Sequence, residues 1–263
     1  MHPLIDADQL VTRLAQVRLV DIRWSLTDPE HGHATYLAGH IPGAVFADLD
    51  TDLSSPPGLD GRHPLPSIEE FADTLGRLGI SPPDHVVVYD DASGSVAARL
   101  WWMLRSVGHT AVQLLDGGYQ AWLRAGHSVE TDEETPERTS YPVPPGFGGI
   151  VDRHQLTGRT LIDARAPERF RGEIEPVDPK AGHIPGAINR PFVDNLGSDG
   201  RFLSPDRLRE IYTGLKDPVV SCGSGVNACH DAVAMVVAGL ELPDLYPGSF
   251  SEWSRRDLPV ETG

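Results

Sequence analysis

Short apolar runs alternate with segments of helical periodicity from one end of the 263-residue chain to the other. In the first half, the apolar runs predict strands at residues 18–22, 44–46, 86–89 and 112–115, and the periodic segments predict helices at 68–78 and 96–107. In the second half, the pattern predicts strands at 160–163, 187–189, 219–221 and 244–246, and helices at 205–215 and 227–240. Strands that alternate with helices in this way are typical of α/β domains with a mostly parallel sheet.

Four landmarks recur in the same order in the two halves, which indicates a tandem duplication. The longest is Ala-Gly-His-Ile-Pro-Gly-Ala, which the second half repeats letter for letter. In chain order the landmarks are an apolar run ending at Asp21 and at Asp163, the heptapeptide at 38–44 and at 181–187, an apolar run ending at Asp90 and at Cys222, and a glycine-containing segment ending at Trp122 and at Trp253.

The repeat predicts two tandem α/β domains, residues 1–130 and 150–263. The chain is long enough for two domains with a core each. Residues 131–149 are rich in Pro, Glu and Thr and lack apolar periodicity, so we expect them to be the linker. The two copies differ where chemistry would occur, because the first has Asp90 in the place of Cys222. We therefore expect the first domain to be chemically silent and to contribute an interface.

Cys222 follows a short apolar run and precedes the glycine-rich loop Gly-Ser-Gly-Val-Asn, after which a helical pattern begins. This order places the cysteine at the carboxyl end of a strand, where a loop leads into a helix. Gly223 and Gly225 allow a tight curl in which successive backbone N–H groups point inward and favour negative charge. A thiolate in that position is stabilised and nucleophilic. The alternative is a buried structural cysteine.

Cys222-Gly-Ser-Gly-Val-Asn-Ala resembles the active-site loop of the rhodanese-fold sulfurtransferases. It is nearest to the mercaptopyruvate type, whose loop has Thr where this chain has Asn227, whereas the thiosulfate type carries basic residues beside the cysteine. The repeated Gly-His-Ile-Pro-Gly-Ala and the segment ending at Trp253 also match the family. The resemblance implies sulfur transfer from 3-mercaptopyruvate or thiosulfate, through a Cys222 persulfide, to a thiol or cyanide. It implies no cofactor, and thioredoxin is one candidate thiol acceptor.

The same resemblance implies further residues near the sulfur. Ser224 would donate a hydrogen bond or relay a proton, although its hydroxyl could equally serve only the loop. His63 and Asp50 match a histidine and an aspartate that in the mercaptopyruvate family approach this serine across the domain interface. His63 suits proton transfer near neutral pH, and the alternative is a backbone contact only. Asp48 or Asp52 could take the place of Asp50.

The resemblance also implies a substrate-binding set, namely Arg169, Gly223, Gly225, Val226 and Asn227. Arg169 matches the family's carboxylate-binding arginine, whose guanidinium offers two donors in carboxylate geometry. The second carboxylate-binding arginine is absent, because Val177 stands near its place, and Lys180 or Arg62 could compensate. Asn227 is a good helix N-cap residue, so we expect the helix start to survive the exchange of Thr for Asn.

Three other residues have side chains that could take part in chemistry. His40 and His183, in the repeated heptapeptide, are predicted to tie turns to the backbone and to be structural. Cys229 is predicted to be packed inside the helix, with a redox partnership to Cys222 as the alternative.

The chain has 22 Lys and Arg against 38 Asp and Glu, a formal net charge of −16. This charge argues against nucleic acid or an anionic membrane as a partner. The two cysteines show no zinc-ligand spacing, so no metal site is expected. With no apparent signal peptide or membrane span, a reducing cytoplasm is the expected compartment.

Two other functions are compatible with this fold class. Cysteine phosphatases share this fold, but they need a longer loop with an arginine at its end, which this chain lacks. A non-turnover sulfur carrier, or a regulatory module, is the stronger alternative because of the missing second arginine.

Overall fold

The structure is a computed structural model that describes residues 1–263. The chain divides into two compact units, and each includes a short segment from the other half of the sequence. The first unit contains Met1–Ser54, Pro66–Gly148 and Ser198–Phe202, and the second contains Ser55–Leu65, Gly149–Gly197 and Leu203–Gly263. The predicted division at a linker over 131–149 contains no such exchange, and those boundaries stay a prediction.

The exchanged segments occupy equivalent places in the sequence repeat. Ser55 lies eleven residues after Ala44, and Ser198 lies eleven residues after Ala187, the last alanine of the heptapeptide in each half. The exchange is therefore a property of the duplicated domain and not of one copy.

The first unit is built on a five-stranded, fully parallel sheet with the order β1-β5-β4-β2-β3. Its central strands are buried on both faces, which is why β4 is an unbroken apolar run. Its strands are β1 (Leu4–Ile5), β2 (Arg18–Asp21), β3 (Ala44–Phe46), β4 (Val86–Tyr89) and β5 (Val112–Leu115), and its helices are α1 (Ala7–Val11), α2 (His31–Ala38), α3 (Ile68–Arg77), α4 (Ala98–Ser106) and α5 (Gly118–Arg124).

The second unit has a four-stranded, fully parallel sheet with the order β7-β6-β8-β9. Its strands are β6 (Thr160–Asp163), β7 (Ile188–Asn189), β8 (Pro218–Ser221) and β9 (Asp244–Leu245), and its helices are α6 (Pro167–Phe170), α7 (Pro205–Tyr212), α8 (Ala228–Val237) and α9 (Ser249–Arg255). Because β8 lies between β6 and β9, the residue that follows it emerges at the middle of the sheet's carboxyl edge. In open parallel sheets this edge is where ligands bind.

The predicted strands and helices are confirmed, with ends that differ by up to three residues. The pattern did not predict the short elements β1, α1 and α6. It also did not predict α2, α5 and α9, whose sequences carry Gly, Ser and His between few apolar residues. None of the helices is both long and apolar enough to span a bilayer.

The segment 131–149 contains no helix or strand, but as far as Gly148 it is part of the first unit. Thr139 donates a backbone hydrogen bond to the Gly76 carbonyl and a hydroxyl bond to the Ile80 carbonyl. Phe147 packs on Phe71 with ring centroids 5.3 Å apart.

The two histidines of the repeated heptapeptide tie turns to the backbone, as predicted. His40 Nδ1 lies 2.8 Å from the Tyr36 carbonyl oxygen, and His183 Nδ1 lies 2.8 Å from that of Phe170. Each imidazole also stacks on the same residue's ring, at 3.9 and 3.7 Å between centroids. The near-identity of the two arrangements confirms a structural role for both.

Candidate functional site

Cys222 follows β8 directly and is 1% exposed. The backbone N–H of Gly225 donates to its Sγ over 3.1 Å. Its own backbone N–H donates to the Ser249 hydroxyl over 3.1 Å, and that hydroxyl donates onward to the Tyr246 carbonyl. The sulfur is therefore held at the mouth of the loop with an N–H dipole directed at it.

The loop needs glycine at Gly225. Its φ is +76°, in the left-handed region, and a methyl group there would lie 2.5 Å from the Pro247 carbonyl oxygen. The loop is also tied to α9, because Phe250 donates to the Cys222 carbonyl and Ser251 donates to that of Gly223. The curl predicted from the two glycines is present and is fastened to a helix.

Ser224 and His63 lie together in the second unit. The Ser224 hydroxyl is 2.8 Å from His63 Nδ1, and the two residues are 6% and 4% exposed. His63 belongs to the segment Ser55–Leu65, which folds with the second unit although it comes from the first half of the chain. The pair has the contact that a proton relay requires.

Arg169 and Arg62 both reach the loop at Gly223. A methyl group at Gly223 would lie 3.0 Å from Arg62 Nη2 and 3.6 Å from Arg169 Nη1. Both guanidiniums bind the buried carboxylate of Asp178, Arg62 over 2.9 Å and Arg169 over 3.2 Å. Arg169 also pairs with Glu175 over 2.6 Å.

Glu175 is the second acid that orders this group. Burial alone would raise the pKa of its carboxyl, but hydrogen bonds from Arg169 and from the Asp178 backbone N–H hold that pKa below its usual range. Arg165 pairs with it as well, over 3.3 Å. The Glu175 carboxylate is thus ionised and keeps Arg169 oriented.

The remaining predicted residues have different surroundings. Asp50 lies in the first unit, where its carboxylate accepts a hydrogen bond from the Trp24 indole over 2.8 Å. Val226 is 4% exposed in the Cys222 loop. Lys180 pairs with Asp257 over 2.7 Å and donates to the Leu258 carbonyl. The roles of these residues stay predictions.

Asn227 stands at the N-cap position of α8, and the prediction that the helix start survives is confirmed, although not through side-chain capping. Its side chain makes no cap hydrogen bond, and its backbone is already helical, with φ −63° and ψ −21°. A capping side chain needs an extended backbone in order to reach the free N–H groups. The helix starts without it, because the loop is held by the bonds to α9.

Cys229 lies fully buried in α8, and its thiol donates to the Gly225 carbonyl over 3.3 Å. The predicted packed position is confirmed. The structure contains no disulfide between the two cysteines, and no cluster of three or more metal-ligating side chains.

The equivalent loop of the first unit holds a carboxylate where the second holds sulfur. Asp90 is fully buried, and its two oxygens accept four backbone N–H bonds of 2.7–2.8 Å. Burial raises the pKa of Asp90, and these N–H groups oppose the rise. The four backbone N–H groups belong to Ala92, Gly94, Val96 and Ala97. This loop is therefore filled by its own side chain.

Sequence reasoning missed Asp178 and Ser249 as parts of the site. Asp178 gave no signal, because two of its three arginine partners, Arg62 and Arg255, lie far away in the sequence. Ser249 could have been found through the repeat, since it corresponds to Gly118, and both have a left-handed backbone with φ of +52° and +58°. A non-glycine residue at such a φ is strained and marks a functional position.

Comparison with known proteins gives consistent results. The family model described as "Rhodanese-like domain" matches residues 6–125 and 150–256. A Pseudomonas aeruginosa protein named "Probable 3-mercaptopyruvate sulfurtransferase" is 46% identical over 280 residues, which cover 99% of this chain and 98% of that protein. The thiosulfate sulfurtransferase of Mus musculus is 36% identical over 264 residues, 94% of this chain and 87% of that one.

A solved structure agrees with these relatives. The 3-mercaptopyruvate sulfurtransferase from Leishmania major superposes with a TM-score of 0.87 at 35% identity, over 95% of this chain and 74% of that one. The two family-model matches and the two parallel sheets confirm the predicted fold class and the predicted resemblance. The chain belongs to the rhodanese family and carries two rhodanese-like domains in tandem.

Proposed function

We propose that this sulfurtransferase takes sulfur from 3-mercaptopyruvate or thiosulfate, with 3-mercaptopyruvate the better donor, and passes it through a persulfide on Cys222 to a thiol or cyanide acceptor. Relatives that match nearly the whole chain are named for these two donors. The observation that carries the proposal is the Cys222 sulfur under the Gly225 N–H, with the Ser224–His63 pair in the same loop and Arg169 beside Gly223.

In the loading step the Cys222 thiolate attacks the thiol sulfur of 3-mercaptopyruvate. An S–S bond forms, the C–S bond breaks, and its electron pair passes to carbon as the enolate of pyruvate. The thiol proton of the donor ends on that carbon, so the products are the anionic persulfide and pyruvate. With thiosulfate the same attack releases sulfite, and no proton has to move.

The Ser224–His63 pair supports the proton movement. The hydroxyl can take the proton from the donor's thiol and return it to carbon, with His63 as its partner at 2.8 Å. The N–H of Gly225 stabilises negative charge on sulfur before and after the step, as an oxyanion hole does for oxygen.

In the second step an acceptor attacks the outer sulfur of the persulfide. Cyanide leaves as thiocyanate, and a thiolate leaves as its own persulfide, in each case restoring the Cys222 thiolate. We propose thioredoxin as one acceptor, since a dithiol can release the sulfur as sulfide and close its own disulfide. Because both steps need a free thiolate, we propose the reducing cytoplasm as the place of the reaction.

Donor preference follows from charge and shape. The side chains of the Cys222 loop carry no positive charge, so the loop itself adds little attraction for dianionic thiosulfate. Arg169 uses Nε and Nη2 to bind Glu175, and its Nη1 faces Gly223, where it can donate to the planar carboxylate of 3-mercaptopyruvate, a group that thiosulfate lacks. We therefore expect the higher kcat/KM with 3-mercaptopyruvate.

Steady-state kinetics with the two donors, side by side, test the proposal. Mass spectrometry after loading should find one extra sulfur on the peptide that contains Cys222, and Cys222→Ser should remove both sulfur loading and turnover while keeping the thermal midpoint. Cys229→Ser is the matched control and should keep both. Sulfur on Cys229, or turnover by Cys222→Ser, would contradict the mechanism. One equivalent of loading without turnover would identify a sulfur carrier.

A further inference from the structure

The loop residue next to Cys222 is approached by two guanidiniums and not by one. Measured from a methyl group at Gly223, Arg62 Nη2 is at 3.0 Å, and the two terminal nitrogens of Arg169 are at 3.6 and 3.9 Å. Arg62 is the nearer of the two. An anion lying over Gly223 would therefore meet both arginines beside the reacting sulfur.

The position of Arg62 is set by its own backbone. Its N–H donates to the Ser251 hydroxyl over 3.0 Å. The preceding Gly61 has φ +115°, and a methyl group there would lie 2.9 Å from the same hydroxyl oxygen. A glycine is needed for the chain to come this close to α9. This close approach places two neighbouring residues at the Cys222 loop. Arg62 lies beside Gly223, and His63 lies beside Ser224.

Asp178 aligns the two arginines. Its side chain is fully buried, one oxygen binds Arg62 Nη1 at 2.9 Å, and the other binds Arg169 Nη2 at 3.2 Å. Arg255 lies 3.7 Å from the first oxygen. A carboxylate shared in this way orients the guanidiniums without neutralising all of their charge.

The charges of this group do not balance. The ion pairs join four arginines to three acids, which leaves a formal charge of +1 in a largely buried group beside Cys222. The arginines are Arg62, Arg165, Arg169 and Arg255, and the acids are Asp163, Glu175 and Asp178. The group therefore favours negative charge beside Gly223, because a buried charge is stable only when it is paired.

Arg62 has a donor left over. Its Nε is buried and has no hydrogen-bond partner. A buried N–H without an acceptor lowers stability by about 1–3 kcal/mol, so such a group in a native protein calls for an explanation. A ligand oxygen over Gly223 would supply the acceptor.

The other basic candidate is already engaged. Lys180 pairs with Asp257 and with the Leu258 carbonyl, both in the C-terminal segment. Val177 carries no charge, and its backbone N–H binds Glu175 over 3.0 Å.

We infer that Arg62 is the second arginine of the donor's carboxylate site and that, with Arg169, it sets the preference for a 2-keto acid donor. The inference rests on the proposed function and names the residue that replaces the missing arginine at Val177. The carboxylate of 3-mercaptopyruvate lies between the two guanidiniums, its thiol sulfur faces Cys222, and Asp178 keeps both arginines aligned.

The test compares two donors that differ only in the carboxylate. These are 3-mercaptopyruvate and mercaptoacetone, in which a methyl group replaces the carboxylate. Arg62→Gln should lower kcat/KM for 3-mercaptopyruvate by roughly 10- to 150-fold, the range typical of a lost hydrogen bond to a charged group. With mercaptoacetone the loss should stay below about threefold. Arg62→Lys should recover only part, because an ammonium lacks the fork.

Lys180→Gln is the matched control, since it also removes one positive charge, and it should leave both donors unchanged. Equal losses with both donors after Arg62→Gln, or a loss with Lys180→Gln as large as that with Arg62→Gln, would overturn the assignment of Arg62. If the wild-type protein turns over neither 3-mercaptopyruvate nor thiosulfate, the proposed function itself fails, and the assignment fails with it.

Discussion

Asp90 and Cys222 occupy the same place in the two copies of the repeat, and each directly follows a central strand. The Asp90 carboxyl group fills its loop and accepts hydrogen bonds from four backbone N–H groups. The Cys222 loop is two residues shorter than the Asp90 loop, and it contains no acidic residue. In that loop the N–H of Gly225 is left to stabilise sulfur. The exchange of Asp for Cys, together with the shorter loop, thus separates a loop filled by its own side chain from a loop that can hold a reactive sulfur.

Comparing the two donors distinguishes a proton-relay role of Ser224 from a role in shaping the loop. Ser224→Ala should lower the rate with 3-mercaptopyruvate by about 100-fold, the scale of general acid–base catalysis. It should lower the rate with thiosulfate by less than about tenfold, because no proton moves when sulfite leaves. Single-turnover persulfide formation with each donor measures the two effects.

Ser254→Ala supplies the control for Ser224. The Ser254 hydroxyl is buried in α9 and has no hydrogen-bond partner, so its loss should change neither rate. A Ser224→Ala variant that slows both donors by the same factor would show that the hydroxyl only shapes the loop.

At the scale of elements, α8 combines a loop that binds an anion with a buried acid one turn further on. Asp231 is fully buried, and one of its oxygens accepts a bond from Asn195 over 2.8 Å, while the other has no partner. Burial raises the pKa of this carboxyl to about 8, the Asn195 bond opposes the rise, and the charges of Asp163 and Asp194 add to it.

Asp231 should therefore make stability depend on pH. The folded protein keeps this proton up to about pH 8, whereas the unfolded chain loses it near pH 3.8. The stabilisation from a raised pKa is complete below the lower value and is lost as the pH rises through the higher one, by about 1.4 kcal/mol for each pH unit between them. Relative to Asp231→Asn, the wild type should lose stability from pH 5 to pH 8.

Urea unfolding at several pH values measures this loss. Asp206→Asn is the control, because that carboxylate is 89% exposed on α7, and its curve should run parallel to that of the wild type. Parallel curves for the wild type and Asp231→Asn would mean that Asp231 is ionised in the fold and that the unpaired oxygen has another cause.

Much of the fold could be predicted from local pattern, because strand runs such as Val86–Tyr89 and the repeated heptapeptide carry their signal within a few residues. Helices such as His31–Ala38 were missed because tertiary contacts and not apolar spacing hold them, as when the Tyr36 hydroxyl binds the Ala44 carbonyl. Asn227 has the right type for a cap, but the loop's own geometry decides its backbone.

In the site, too, the features that depend on adjacent residues could be predicted and those that depend on distant residues could not. Cys222 and its glycines were recognisable because their chemistry depends on adjacent residues. The choice between Arg62 and Lys180 depended on Asp178 and Asp257, whose positions no local pattern reports. The contact between His63 and Ser224 was implied by the family resemblance alone, since 161 residues separate the two along the chain.

At the scale of the whole molecule, the exchanged segments make each unit depend on both halves of the chain. Residues 55–65 give the second unit the Arg62 and His63 contacts, together with the pair between Asp60 and Arg256. Residues 198–202 give the first unit the bonds from Arg124 to the Asp199 carbonyl and from Phe202 to Asp116. A tandem duplication with such an exchange cannot be cut at one linker without removing contacts from both units.

Replacing each segment in the full chain by a Gly/Ser segment of equal length tests this dependence. Replacement of 55–65 should raise amide hydrogen exchange in the Cys222 loop and in α9. It should lower 3-mercaptopyruvate turnover by at least about 100-fold, since it removes both the proposed relay partner His63 and the proposed carboxylate ligand Arg62. Replacement of 198–202 is the matched control from the equivalent place in the repeat. It should raise exchange at Asp116 and in α5, while Cys222 still takes up one sulfur from thiosulfate. If both replacements loosen the Cys222 loop to the same degree, the two units do not hold their borrowed segments independently.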